Sequence, residues 1–448
     1  MAERPHSEDA RKLVHIGFGV CALFLRDLPW WGAALIALTA LVFNLFLMPR
    51  VGSIIYRPAD RSRAFAQGVV FYPLAVLLLI LLFPHRADIA AASWGILALG
   101  DGMSSLLGRR YGRRRIPWNR EKSICGSVSL FCFGGAAGAL LAWWCRPALA
   151  VPPPLWFSLG APFAAALVAA LVETIPIRLD DNLSVPGSAA LVLWALSLVT
   201  GDRVAAFVHD AAWLVPAALA VNAAAAWTGY RAGTVTASGA ICGAAIGTTI
   251  AATAGWPGWG VLVATFLAAA ISSRLGVHRK TLLGIAEERG GRRGAGNAIA
   301  NTGFAAGAAV VAALSPASTP ALIAFTAALA AGGGDTVASE IGKAWGTRTF
   351  LVTSMREVRP GTSGGMSIEG TIAGLAGAFI IGALAVAVGL IAPGALIAVV
   401  VGATVGSLAE SALAATFEAQ GIVNNDTLNF LNTAIAAAAA VVLAGLWP

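Results

Sequence analysis

Two stretches decide the reading of this chain: Gly100-Asp101-Gly102-Met103-Ser104-Ser105-Leu106-Leu107-Gly108 and Gly334-Asp335-Thr336-Val337-Ala338-Ser339-Glu340-Ile341-Gly342. Each closes a long apolar run with a carboxylate, and each is followed by a polar loop and a second echo. Ser123-Ile124-Cys125-Gly126-Ser127 is answered by Ser367-Ile368-Glu369-Gly370-Thr371. The offset is 234 residues from Asp101 to Asp335 and 244 from Ser123 to Ser367, so one unit reads as used twice.

The apolar runs around these motifs set the class. Hydrophobic residues make up 58% of the 448 residues and charged residues 12%, where a soluble chain would carry roughly a quarter charged. Runs of about 18 or more apolar residues, enough to cross a hydrocarbon core of about 30 Å, recur along the whole length. Spans are expected at about 13–25, 30–48, 65–83, 88–107, 123–145, 155–173, 185–200, 204–226, 233–252, 257–273, 297–313, 320–340, 366–389, 395–417 and 428–447. The expectation is an all-α polytopic membrane protein of about 15 transmembrane helices. With a cytoplasmic N-terminus, all but Arg26, Arg86, Arg146 and Arg203 of the 30 lysines and arginines fall on the cytoplasmic side, which is the positive-inside pattern. The net charge of +8 is then a matter of topology and phosphate-facing loops, not of nucleic-acid binding.

Acidic residues in Met1–Ala10 disfavour a signal or transit peptide. With the Ala-, Gly- and Arg-rich usage, this favours a bacterial plasma membrane. The five cysteines show no CxxC pairing and read as small buried hydrophobes.

Further echoes extend the repeat. Asn301-Thr302-Gly303 answers Gln67-Gly68, Glu410 answers Glu173, and Asn424-Asn425-Asp426 answers Asp180-Asp181-Asn182. Seven crossings would invert the second copy, and the extra span at about 204–226 restores its orientation. Two parallel seven-helix repeats joined by one helix place both sets of motifs at the cytoplasmic face. The corresponding domains are 1–203, a connecting helix and loop at 204–232, and 233–448.

The chemistry follows from residue types. Asp101, Glu173 and Asp180-Asp181 share a membrane face with the basic loop Arg109 to Lys122, which includes Arg120. Hard oxygen ligands suit magnesium, which takes one or two carboxylates and lets substrate phosphates complete its shell. Basic side chains and helix N-terminal amides hold phosphate oxygens. In the second half, Arg359 and Pro360-Gly361-Thr362-Ser363-Gly364-Gly365 supply the equivalent loop, since glycines let backbone amides approach an anion.

The first half resembles the polyprenol and phytol kinase family, which includes dolichol kinase. The motifs are Arg11-Lys12-x-x-His15, Gly100-Asp101-x-x-Ser104, Lys122-Ser123-x-x-Gly126-Ser127, and Glu173 with Asp180-Asp181-Asn182-x-x-x-Pro186. Cys125 stands where that family commonly has Glu. The second half is similar to the phytyl-phosphate kinase family of integral membrane proteins. Its residues are Asn301-Thr302-Gly303, Gly334-Asp335-Thr336 with Ser339-Glu340-Ile341-Gly342, the glycine-rich loop, Glu369-Gly370-Thr371, and Asn424-Asn425-Asp426 with Asn429 and Asn432. Glu410-Ser411 replaces an expected Asp-Ser.

The resemblance implies a fused isoprenoid-salvage kinase. A prenol such as phytol would be phosphorylated to the monophosphate and then to the diphosphate, with CTP as donor and Mg2+ as cofactor. Asp101, Glu173 and Asp181, with Asp180 as second choice, would surround the metal, and Lys122, Ser123, Gly126, Ser127, Arg109 and Arg120 would hold phosphates. Arg11, Lys12, His15 and Asn182 would meet the substrate. In the second half Asp335, Glu410 and Asp426 are the catalytic carboxylates and Asp335 and Glu340 the metal ligands. Arg359, Gly361, Thr362, Ser363, Gly364, Gly370 and Thr371 would lie at phosphate, and Asn301 and Asn425 at substrate. Two alternatives use similar parts: a CDP-lipid-type cytidylyltransferase, and a transporter, for which internal repeats and broken helices are also typical. The one-sided acidic motifs and the parallel repeat argue against transport.

Overall fold

A computed structural model of the chain describes residues 8–48, 67–175, 179–285 and 292–446. The basic loop from Arg50 to Arg63 and the charged residues Glu287, Glu288 and Arg289 lie outside the described residues. The protein is an all-α polytopic membrane protein. Among the described residues, ten helices are long and apolar enough to cross a membrane. The chain divides into two compact units, Met1–Ser197 and Leu198–Pro448.

In the first unit, α1 (Glu8–Phe18) runs into a 3-10 segment at Gly19–Arg26, and α2 (Trp30–Val42) ends in a π-helical turn at Phe43–Leu47. After α3 (Gln67–Leu82) comes α4 (Ala87–Gly95), which continues through a π-helical segment, Ile96–Asp101, into α5 (Gly102–Tyr111). A hairpin of β1 (Arg115–Ile116) and β2 (Asn119–Ser123) leads into α6 (Ile124–Ser129), a π turn and α7 (Gly135–Cys145). Two helices, α8 (Leu155–Thr174) and α9 (Asp181–Ser197), complete the unit.

The second unit begins with the helix expected as a connector, α10 (Gly201–Arg231), which packs against α11 (Ala237–Arg274). The two spans expected at 233–252 and 257–273 are the two helical arms of α11, which meet at a kink at Gly255, where φ is 68°. Short α12 (Val277–Leu282) precedes α13 (Ala295–Leu314) and α14 (Ser318–Trp345). A three-stranded sheet follows, from β3 (Thr349–Leu351), β4 (Glu357–Val358) and β5 (Gly365–Ser367), with β3 central and both pairings antiparallel. Then come α15 (Ile368–Ala387), α16 (Ala395–Leu413) with a π turn at Ala414–Glu418, and α17 (Asn425–Leu446).

Each unit is built around one helix with a stretch of small and apolar residues buried on all sides, as a helix packed all round requires. In the first it is α4 and its π extension, where Ile89 through Ala92 and Ile96 through Ala98 are buried between α3, α7, α8 and α9. In the second it is α14, buried from Ala327 to Ala331 among α11, α13, α15, α16 and α17. Small residues allow the close crossings. A Cβ at Gly100 would lie 3.0 Å from Gly134 Cα, and one at Gly334 would lie 2.9 Å from the Gly374 carbonyl. Both central helices therefore cross the next helix of their unit at glycine on glycine, immediately before the aspartate.

The local repeat extends to hydrogen bonds. Ser123 Oγ accepts from Gly126 N at 3.1 Å and caps α6; Ser367 Oγ accepts from Gly370 N at 3.1 Å and caps α15. Ser127 and Thr371, each four residues past the cap, donate to the cap carbonyl. A side chain in the second crossing should be poorly tolerated, because a Cβ at Gly374 would sit 2.7 Å from Ala338 Cβ. We expect Gly374→Val to cost about 1–3 kcal/mol and to lower the melting temperature in detergent. Gly307→Val, at a position with no atom within 4 Å of its Cβ, should leave it little changed; equal melting of the two would contradict this packing.

Candidate functional site

The π-helical segment of the first unit ends on Asp101 and aims it, 1% exposed, inward from an apolar helix. A lone carboxylate there would be strongly disfavoured, and α1 supplies the counterion. Lys12 Nζ donates to Asp101 Oδ2 at 2.6 Å. One turn later, His15 Nε2 donates to the Leu97 carbonyl at 3.1 Å and lies 3.4 Å from the same Asp101 oxygen. The imidazole is fixed from behind by an edge-on contact with Tyr72, whose hydroxyl accepts from Trp94 Nε1 at 2.8 Å. The Arg11-Lys12-x-x-His15 spacing thus puts the second and third of these residues on one helix face, both toward Asp101.

The hairpin delivers the second lysine. Lys122 is the penultimate residue of β2, and the Ser123 cap fixes where the strand stops. Its Nζ donates to Glu173 Oε1 and Asp181 Oδ2, each at 2.7 Å. Glu173, near the end of α8, also accepts from Ser104 Oγ at 3.2 Å. Asp101, Glu173 and Asp181 each offer an oxygen, and these oxygens lie within 4.8 Å of one another. Asp101 Oδ1 and Asn182 Oδ1 are buried with no hydrogen-bond partner. The set is all hard oxygen with an orphaned, buried acceptor, which is the chemistry a magnesium-sized cation requires.

Neighbouring residues fill supporting positions. Asp180, a second choice for the metal, caps α9 instead: its Oδ1 accepts from Asn182 N and Nδ2. Arg11 and Asn182 both approach Gly68. Arg109 bonds Asp9 and the Ser105 carbonyl, and Arg120 is exposed. Gly126 and Ser127 serve the α6 cap rather than reaching the carboxylates.

In the second unit a cavity of about 370 Å³ gathers Asp335, Glu410, Asn425, Gly361 through Gly364, Gly370 and Thr371. Gly361 and Gly364 have φ of 85° and 75°, and a Cβ at Gly364 would lie 2.5 Å from the Ser411 carbonyl, so the loop lies flat on α16 only with glycine there. Its Ser363 hydroxyl is bonded to Glu418. Asp335 Oδ1 accepts from Ser407 at 3.4 Å and Glu410 Oε2 from Asn432 at 2.6 Å. Met366 occupies the position that Lys122 holds in the first unit.

Several expected residues lie elsewhere. Glu340 sits between Lys280 and Lys343, so its oxygens are already engaged. Asp426 stands beside Gly296, Asn301 donates to the Asn297 carbonyl within its own helix, and Arg359 does not line the cavity. Lys343, Ser407 and Glu418 do line it and were not singled out from sequence. A charged residue closing an apolar run was the available signal for Lys343 and Glu418.

Residues 220–437 match the family described as integral membrane protein DUF92. The uncharacterized membrane protein sll0875 of Synechocystis is 36% identical over 199 residues, 44% of this chain and 77% of that protein. The chain belongs to this family of integral membrane proteins. It is also 31% identical over 194 residues to "Probable phytol kinase 2, chloroplastic" of Glycine max, a match covering 42% of this chain and 65% of that protein. "Phytol kinase 1, chloroplastic" of Arabidopsis thaliana is 33% identical over 137 residues, 30% of this chain and 45% of that protein. The chain thus spans under two thirds of the length of these two relatives. No solved structure matches.

Lys122 has a calculable consequence. Burial pulls its pKa down, but the Asp181 and Glu173 carboxylates outweigh burial and push it above the ordinary lysine value. A raised folded-state pKa gives stability that is full below the unfolded value of about 10.4 and is lost as pH rises through the folded value. Burial pushes the Asp181 carboxyl up to about 6 even beside Lys122, and without the lysine it must ionise unpaired, so the melting-temperature difference between wild type and Lys122→Met should grow from about pH 5 to 8. A difference that stays flat or shrinks across that range would contradict this pairing.

Proposed function

We propose that the protein is a nucleotide-dependent prenol kinase whose first unit phosphorylates an isoprenoid alcohol of the phytol type. The observation that carries this is the convergence of Asp101, Glu173 and Asp181 around Lys122, in a chain similar to proteins named phytol kinase. Phosphoryl transfer asks a protein mainly for in-line positioning and neutralisation of charge. Lys122, bonded to the two carboxylates, would also hold a nucleotide phosphate oxygen. His15, held by Leu97 and Tyr72, would orient the acceptor hydroxyl beside Asp101. Lys12 bonds Asp101 Oδ2 and leaves its Oδ1 open. In the reaction the prenol oxygen bonds to the terminal phosphorus, the bond to the nucleoside diphosphate breaks, and the hydroxyl proton passes to a carboxylate oxygen of the triad. Magnesium would be held by Asp101, Glu173 and Asp181, and when bound it supplies charge neutralisation for the transferring phosphate.

The second unit, in this reading, takes the monophosphate to the diphosphate in its own cavity, with Asp335 and Glu410 as the carboxylates. The repeat of the cap, the glycine crossing and the aspartate supports a shared ancestry of the two sites. Fusion suits an intermediate whose tail stays in the bilayer. CTP as donor, and a bacterial plasma membrane with cytoplasmic sites, belong to the same proposal.

Product mass tests it. Purified protein in detergent with magnesium, CTP and phytol should yield phytyl monophosphate and diphosphate, and Asp335→Asn should stall at the monophosphate. A CDP-prenol product would instead identify a cytidylyltransferase, and no phosphorylated prenol with any nucleotide would refute the kinase. The metal set has a separate readout: magnesium should raise the melting temperature of wild type, and Asp181→Asn should lose most of that increase. An equal increase in the variant would remove Asp181 from the metal set.

A further inference from the structure

Lys343 lies in the last turn of α14 and lines the second-unit cavity. Glu340, three residues earlier, is buried with its two oxygens divided between two lysines. Oε1 lies 3.3 Å from Lys343 Nζ, and Oε2 accepts from Lys280 Nζ. The side chains of Lys280 and Glu340 are each 2% exposed, and Lys280 Nζ also donates to the Ser273 carbonyl at 2.8 Å. An i,i+3 pair on a solvated helix face would hold neither partner firmly. Here the carboxylate is braced from behind by a cation with almost no access to water.

Two lysines share one carboxylate, so one positive charge is left over, and it belongs to the lysine that faces the cavity. Asp335 and Glu410 line the same cavity, bonded to a serine hydroxyl and an asparagine amide. Among the described residues no ion pair joins either of them to Lys343. Glu418 lines it too, and among the described residues it also makes no ion pair with Lys343; a cation and three carboxylates that share a cavity without pairing are matched by a ligand bearing both signs, a phosphate group with its metal ion. The first unit differs, since its lysines sit directly on its carboxylates.

We propose that Lys343 is the side chain that binds a phosphate group in this cavity, and that Glu340 and Lys280 are positioning residues holding it there. The inference rests on the reading of the second unit as a site for phosphorylated substrate. It moves the basic contact from Arg359, which does not line the cavity, to a residue of the central helix. The phosphate is that of a prenyl monophosphate or of the nucleotide; the chemistry recognised is the same, a phosphate ester oxygen accepting from a fixed ammonium.

Equilibrium binding to the full-length protein in detergent with magnesium separates the sources. Phytyl monophosphate, CTP and, as an uncharged probe, phytol are titrated into wild type, Lys343→Met, Lys343→Arg and Glu340→Gln. Lys343→Met should weaken one of the two phosphate probes by about tenfold or more and leave phytol unmoved, and Lys343→Arg should recover most of the loss. Glu340→Gln should give a smaller loss on the same probe, because Lys343 keeps its charge but loses its brace. The proposal is overturned if Lys343→Met binds both phosphate probes as wild type does, if it loses phytol in equal measure, or if wild type binds neither phosphate probe. If binding depends on Lys343 but no diphosphate is ever made, the phosphate site stands and the kinase reading of the second unit fails.

Discussion

A carboxylate at the end of the apolar stretch of a helix surrounded by others is the constraint on which both units depend. Asp101 and Asp335 are carried to such places by helices that must be small and apolar to pack all round, with glycine crossings just before the acid. A buried carboxylate needs hydrogen bonds or a counterion, because the desolvation cost otherwise outweighs what packing provides. The polar residues of each unit can be understood as answers to that cost, and the place where the answer is incomplete is where a ligand is called for.

The two units answer it differently. In the first, Lys12 from α1 and Lys122 from the hairpin each bond directly to the acids, and the unsatisfied atom is Asp101 Oδ1. In the second, Met366 replaces the hairpin lysine, and neutral donors from Ser407 and Asn432 meet the acids. Cationic charge enters that cavity from the central helix itself, through Lys343. A site for a neutral alcohol and a site for an already phosphorylated one differ in the charge they must accommodate, and the two arrangements differ in that respect.

Much of this was legible in the sequence. The apolar runs gave the membrane class, and the first-unit motifs named Lys12, His15, Asp101, Lys122, Glu173 and Asp181, which the fold brings together. Spacing carried that information because each motif sits on one helix face or one cap. What spacing could not carry was long-range pairing. Glu340 reads as a free ligand until Lys280, 60 residues earlier, is seen to occupy it, and Asp180 is distinguished from Asp181 only by which of them caps α9. Lys343 and Glu418 are single charges closing apolar runs, a signal that does not tell a cavity from solvent. The π segments that place Asp101 and Glu418 depend on backbone geometry that hydropathy does not register.

Complementation in a shared bilayer measures most directly whether two separate sites act in series on one lipid. Asp101→Asn and Asp335→Asn are reconstituted together into the same vesicles with phytol, magnesium and CTP inside reach of both, and products are weighed. Neither variant alone should make diphosphate from phytol and the mixture should, because the monophosphate released by one protein would be the substrate of the other. Diphosphate from either variant alone, or none from a mixture whose wild-type control is active, would contradict action in series.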